Sequence, residues 1–223
     1  MTYRYFAFLD VLAYREQLKR DTQDGTAAFK DKLIGAFASL SQVNESDVSI
    51  SAISDSVFLT LQNESLGFSF FAKVVKDLQV AFIDRGLLLR GGISFNLHFE
   101  NGKVTYSPAL VDAHEMESKH AFFPRVVIHS AVIEKLQNEG ALDKIVGDGL
   151  IVQHAEKYHI HFIDDGNWET LRSGIAKIAE SSRGAIDADP RIYAKHWYLQ
   201  EYLAAFRPPK TRFSRYLPSW KRR

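Results

Sequence analysis

Two aspartates in this chain are placed to do metal chemistry. Asp10 ends the apolar run YFAFLD, and Asp55 sits 45 residues further on, in a Ser-Asp-Ser turn inside ISAISDSVFLTL. Carboxylates are the natural ligands of hard divalent cations such as magnesium and manganese. Two such ions about 3.5–4 Å apart can serve both the attacking and the leaving oxygen of a phosphoryl displacement. Each aspartate also has an ordinary reading, Asp10 as the cap of a following helix and Asp55 as a turn residue. Proximity decides between the readings. Two carboxylates within about 4 Å repel by roughly 4 kcal/mol at an effective dielectric of 20, about three pKa units. One of them is then protonated unless a cation lies between them.

The elements that must position these residues are legible from periodicity. Residues 3–10 alternate as a strand, with Phe6, Phe8 and Asp10 on one face and Tyr5, Ala7 and Leu9 on the other. A helical pattern runs from Leu12 to about Leu40, broken by a loop at Asp24-Gly25-Thr26. Segments 47–53 and 56–62 form a hairpin through Ser54-Asp55-Ser56. Leu66, Phe70, Val74, Leu78 and Phe82 mark a core-facing helix, and Leu87 to Leu97 a strand. Asn101-Gly102 turns into Val104 and Tyr106, and Pro108 opens a helix through about Ser118. A strand at Arg125 to Ile128, a short helix at Ala131 to Leu136, a hairpin within 150–163 and a last helix after Asp187-Ala188-Asp189-Pro190 complete the chain. The expected class is α+β, with helices on one side of a largely antiparallel sheet. Residues 1–205 read as one domain and 206–223 as a basic, aromatic tail expected to dock on its own domain or a partner subunit.

Composition removes several functions. With 28 basic and 27 acidic residues the chain lacks the basic excess of a general nucleic-acid binder, so no stable nucleic-acid complex is expected. The absence of cysteine excludes disulfides, thiol catalysis and zinc-thiolate sites. The N-terminus shows no signal-peptide pattern and no apolar run reaches membrane-spanning length, so a cytoplasmic protein is expected. His159 and His161 share a strand face but have no third ligand in view for a metal.

Taken in order, YFAFLDVLAY, ISAISDSVFLTL, LLLRGGISF, YSPALVDAHEMES, FPRVVIHSAVIEKL and YAKHWYLQEY resemble class III nucleotidyl cyclases over roughly residues 3–205. More narrowly, they resemble the pyrimidine cyclases of Pycsar antiphage systems. The resemblance implies a ferredoxin-like, palm-like antiparallel sheet flanked by helices and a site shared by two protomers of a homodimer. It makes Asp10 and Asp55 the ligands of two Mn2+ or Mg2+ ions, with the Val11 carbonyl completing the shell. Val11-Leu12-Ala13-Tyr14 stands where cyclases carry Ile-x-Gly-Phe, which places Ala13 and Tyr14 in the phosphate-binding turn. Alanine in place of glycine means that this turn avoids positive φ or carries strain. Arg90, before Gly91-Gly92, matches the arginine of Arg-x-Gly-Ile that contacts the β- or γ-phosphate, a role suited to its planar fork.

One family feature is missing. Where many cyclases carry Val-Asn-x-Ala-Ala-Arg-Leu-Glu, alignment at Glu117-Ser118 puts Val111 at the ribose-orienting asparagine and Glu115 at the transition-state arginine. The pyrimidine-cyclase branch lacks the same pair. Glu115 and Glu117 are expected at the surface, with Leu110, Ala113 and His114 on the packed or dimer-facing side. Arg125 is expected either near the nucleotide or at the interface. Ser51, four residues before Asp55, occupies the base-reading position and carries neither the adenine-type lysine nor the guanine-type glutamate. The expected activity is therefore formation of a 3′,5′-cyclic pyrimidine monophosphate; Ser51 does not separate uracil from cytosine, and the resemblance favours UTP over CTP. The product would be a second messenger for a separate effector protein in antiphage defence. A cytidylate cyclase and a nucleotide-binding module without turnover are the alternatives.

Overall fold

The N-terminal alternation produces β1 (Thr2–Val11), which buries Tyr5, Ala7, Leu9 and Val11 on one face and Phe6 on the other. Such a strand must be covered on both sides. In the computed structural model, which describes residues 1–217, it lies inside an eight-stranded mixed sheet. In chain order it is followed by α1 (Tyr14–Asp24), α2 (Ala28–Phe37), β2 (Val48–Ile53), β3 (Ser56–Leu61), α3 (Gly67–Asp84), β4 (Leu89–Glu100), β5 (Thr105–Tyr106), α4 (Pro108–His120) and β6 (Val126–Ile128). Then come α5 (Ser130–Asn138), α6 (Leu142–Gly147), β7 (Ile151–His154), β8 (Lys157–Ile160), α7 (Trp168–Ser181), α8 (Arg183–Ala188) and α9 (Pro190–Ala205). The strand order is β2-β3-β1-β4-β6-β8-β7, with β5 paired to the end of β4.

The fold is α+β, a mixed sheet flanked by helices. Among the described residues β4 and β6 pair parallel, and the other pairs are antiparallel. Helices cover both faces, which corrects the expectation of a single helical side. Phe29, Phe71, Leu78 and Phe82 of α2 and α3 pack with Tyr5, Ala7 and Leu9 of β1. On the opposite face Ala109 and Ala113 of α4 pack on Phe6. Small residues on both sides let α4 sit this close: a Cβ added at Gly92 would lie 2.2 Å from the Ala113 carbonyl oxygen.

The sequence reading did not resolve α6, α7 and α8. Trp168 anchors α7 in a second core with Leu171, Ile175, Leu199 and Leu203, and its indole N–H donates to the Leu203 carbonyl at 2.9 Å. The tail folds back on α9. Gln200 accepts from the Tyr216 and Leu217 amides at 3.0 Å each, and Arg215 pairs with Glu201 at 2.7 Å. Trp220, Lys221, Arg222 and Arg223 of the expected basic tail lie outside the described residues.

Candidate active site

The hairpin expected around Asp55 is a two-residue turn: Ile53 pairs with Ser56, leaving Ser54 and Asp55 as its tip. Ser54 has φ 59, the left-handed start of a tight hairpin turn. Asp10 lies opposite Ser56, and the Val11 amide donates to the Asp55 carbonyl at 2.8 Å. The two aspartates are therefore neighbours across one strand pair, at the same end of the sheet. On its other side Asp10 lies opposite Arg90. Directly opposed residues share a face, so Asp10 and Arg90 both point to the face that carries α4.

Arg90 bridges two carboxylates. Its Nε donates to Asp10 Oδ2 at 2.8 Å, and its Nη2 lies 2.7 Å from Glu117 Oε1. Glu117 is 5% exposed, which corrects the expectation of a surface residue. Burial pushes its carboxyl above the usual range. Arg90 opposes this, while the charges of Asp10 and Asp55 reinforce it. The Glu117 carboxyl thus feels the charges of Asp10 and Asp55 as well as that of the guanidinium beside it. The signal for Glu117 was present in the sequence: with Ala109, Ala113 and Met116 it completes a helical stripe, and that stripe is the buried side of α4. The Gly91-Gly92 step lets α4 approach β4 closely enough to deliver it.

Ala13 takes the left-handed conformation, φ 61 and ψ 25, so the turn after β1 carries the strain that glycine would avoid. The Leu12 amide donates to the Leu88 carbonyl at 2.9 Å, and the Tyr14 ring packs edge-on to Phe29. The amides of residues 13–16 donate to no protein acceptor among the described residues, and no side chain caps α1. They form an anion-ready helix start.

Ser51 is exposed on β2, opposite Phe58, which in turn lies opposite Phe8. Phe8 and Phe58 meet edge to face at 5.5 Å, with His114 against Phe8 at 4.9 Å. Val111 is 61% exposed and Glu115 pairs with Lys119 at 2.7 Å. The rings of Phe123 and Tyr198 stack on each other at 4.6 Å, and the Arg125 guanidinium lies 5.6 and 5.7 Å from their centres, tying its loop to α9. His159 is buried, with Nδ1 3.1 Å from the Ile160 carbonyl, and His161 bonds the Tyr202 hydroxyl. Burial lowers both to about 4, so they are neutral core residues at pH 7.

Among the described residues no three His, Cys, Asp or Glu side chains form a metal-ligating group. The donors at this end of the sheet are the Asp10 and Asp55 carboxylates and the Val11 carbonyl. That set fits magnesium or manganese, ions that keep waters and take further oxygens from substrate phosphates. The positive group now on Asp10 is the Arg90 guanidinium. No helix among the described residues is long and apolar enough to cross a membrane.

No protein-family model matches the chain, and no curated protein does. Among solved structures it is similar to the monomeric guanylyl cyclase domain of the RhoGC fusion protein from the aquatic fungus Blastocladiella emersonii. There the identity is 13%, 71% of this chain and 94% of that chain are covered, and the TM-score is 0.48. It is also similar to the catalytic core of a rhodopsin-guanylyl cyclase with converted specificity in complex with ATPalphaS, at 13% identity, the same coverage and a TM-score of 0.45. The guanylyl cyclase Cya2 matches at 11% identity over 74% of this chain and 94% of that chain, with a TM-score of 0.43.

Proposed function

We propose that the protein is a nucleotidyl cyclase of the class III type, acting on a pyrimidine nucleoside triphosphate. The observation that carries the reading is the placement of Asp10 beside the two-residue turn of Asp55, with Arg90 on the same face and unspent amides at the start of α1. In the reaction the ribose 3′ oxygen bonds to the α-phosphorus, the bond from that phosphorus to the β-phosphate oxygen breaks, and diphosphate leaves. The hydroxyl proton passes to solvent. Two divalent ions held by Asp10, Asp55 and the Val11 carbonyl would make the hydroxyl more acidic and offset charge on the leaving oxygens. The chain's own residues bind and orient. Arg90, its Nε held by Asp10 and its Nη2 by Glu117, presents its remaining guanidinium donors to phosphate oxygens. The amides after Ala13 face the anion.

Ser51 supports the pyrimidine reading. A short hydroxyl both donates and accepts, so it imposes neither purine edge and by itself does not separate uracil from cytosine. The resemblance to pyrimidine cyclases favours UTP, with a cyclic UMP signal that activates a separate effector in antiphage defence. It also implies a homodimer with shared sites. Incubation with each of the four triphosphates and manganese, with products identified by mass, tests the proposal. Cyclic UMP or cyclic CMP is the expected main product, and cyclic AMP or cyclic GMP in its place overturns the base assignment. Turnover by a monomer at high dilution, shown by sedimentation, overturns the shared site.

A second reading has its own observation. Val111 faces solvent and Glu115 is spent on Lys119, so neither substitutes for the asparagine and arginine of other cyclases. A module that binds nucleotide without turnover would yield no cyclic product with any of the four.

A further inference from the structure

Asp10 already has a cation. The Arg90 Nε donates to Asp10 Oδ2 at 2.8 Å, and the Arg90 Nη2 lies 2.7 Å from Glu117 Oε1. A divalent ion arriving at Asp10 therefore meets a carboxylate whose charge a guanidinium has neutralised. The two cations repel at this range, and the site is too closed for water to screen them fully. One of them must yield.

The two contacts of Arg90 differ in how they can break. They use different nitrogens, so one can be lost while the other is kept. The Asp10 side chain is 20% exposed and that of Glu117 6%, so an ion from solvent reaches the first and not the second. Glu117 is also held in place by its helix. A Cβ added at Gly92 would lie 3.1 Å from the Glu117 amide nitrogen, so α4 rests directly on β4 here. Burial, together with the charges of Asp10 and Asp55, opposes ionisation of Glu117, and Arg90 is the strongest influence in its favour. Among the described residues Glu117 has no other ion pair. A buried carboxylate of this kind is matched to one cation.

We propose that Arg90 is the counter-ion of Asp10 until a divalent ion takes its place, and that Glu117 is the positioning residue that then keeps the guanidinium at the site. Displacement frees Nε as a donor while Nη2 stays anchored. Loading of Asp10 and release of a donor from Arg90 are then one event. The inference rests on the reading of Asp10 as a metal ligand, and the test separates the two.

Both arms are read without nucleotide. Mn2+ is titrated into the wild type, Arg90→Gln, Lys195→Gln and Asp10→Asn, with free ion measured by its EPR signal. Lys195 controls for net charge, because it interacts electrostatically with Arg90 and Asp10 and forms no ion pair among the described residues. R90Q should bind Mn2+ about ten- to a hundredfold more tightly than the wild type, having lost a charge-assisted competitor. K195Q should stay within about fivefold. The second arm follows the Arg90 Nε–H by NMR in the wild type and Glu117→Gln, with Mg2+ as the diamagnetic ion and Arg90→Lys to identify the signal. It keeps Arg90 in place, so it decides the matter even if R90Q fails to fold. Saturating Mg2+ should shift the signal and speed its exchange with water. The order parameter should stay high in the wild type with and without Mg2+ and in E117Q without it, and fall in E117Q with it. A merely structural role of Glu117 would not depend on Mg2+. An Arg90 signal indifferent to Mg2+, an E117Q order parameter that Mg2+ leaves high, or R90Q binding Mn2+ no more tightly than K195Q overturns the inference and leaves the metal reading standing. Equal Mn2+ binding by D10N and the wild type overturns the metal reading, and the inference with it.

Discussion

At the scale of residues, the site depends on charges that have few substitutes. Asp55 is a partly exposed turn residue that contributes little to the core, whereas Asp10 contributes a largely buried ion pair with Arg90. Asp55→Asn and Asp10→Asn are both expected to abolish cyclisation, Asp55→Asn costing about 1 kcal/mol or less in urea unfolding and Asp10→Asn about 1–3 kcal/mol, because it removes a charge-assisted bond to a largely buried guanidinium. Full activity of both variants with manganese present would refute the metal-ligand assignment. Ala13 offers the opposite test. Its left-handed backbone is a strain that glycine relieves, partly offset by the freer unfolded chain. Ala13→Gly should stabilise the protein by about 0.5–1 kcal/mol, and a lower urea midpoint would show that the turn is not strained.

At the scale of elements, the β4–α4 contact governs the site. Gly92 lies directly under the backbone of α4, where an added Cβ would be 2.2 Å from the Ala113 oxygen and 2.5 Å from Met116 Cβ. Backbone cannot move aside as a flexible side chain can. Gly92→Ala should push α4 off the sheet, withdraw Glu117 from Arg90 and cost about 3 kcal/mol. Unfolding and nucleotide binding should both report it. A variant with wild-type stability would mean that α4 slides without loss, contrary to the packing described.

At the scale of the whole molecule, acid should loosen the half built by α7 to α9. His159 and His196 are both lowered from an ordinary 6.5 to about 4, by burial first. Between those values the folded state binds fewer protons than the unfolded chain. Their contribution is therefore intact above pH 6.5 and lost as pH falls through 4. For His159 alone this amounts to about 3 kcal/mol at the acid end. Urea unfolding followed from pH 7 to pH 4.5 should show a steady fall in stability, flatter in His159→Gln. A constant stability over that range would mean that these rings are protonated without opening the core.

The sequence by itself determined the strand ending in Asp10, the hairpin around Asp55, the apolar stripe of α3 and the proline-started α4. In each, the signal is local: alternation, a turn residue, a period near 3.6 or a fixed φ. It also brought out Asp10, Asp55 and Arg90, because aspartates at strand ends and an arginine before Gly-Gly are visible as residue types. Tertiary structure decided what those residues touch. Glu117 read as a surface acid because buried carboxylates are rare without a partner, and its partner, Arg90, lies 27 positions earlier in the chain. Placing α4 on the second face of the sheet needed the depth of the Gly92 contact, a distance between backbones that periodicity does not encode.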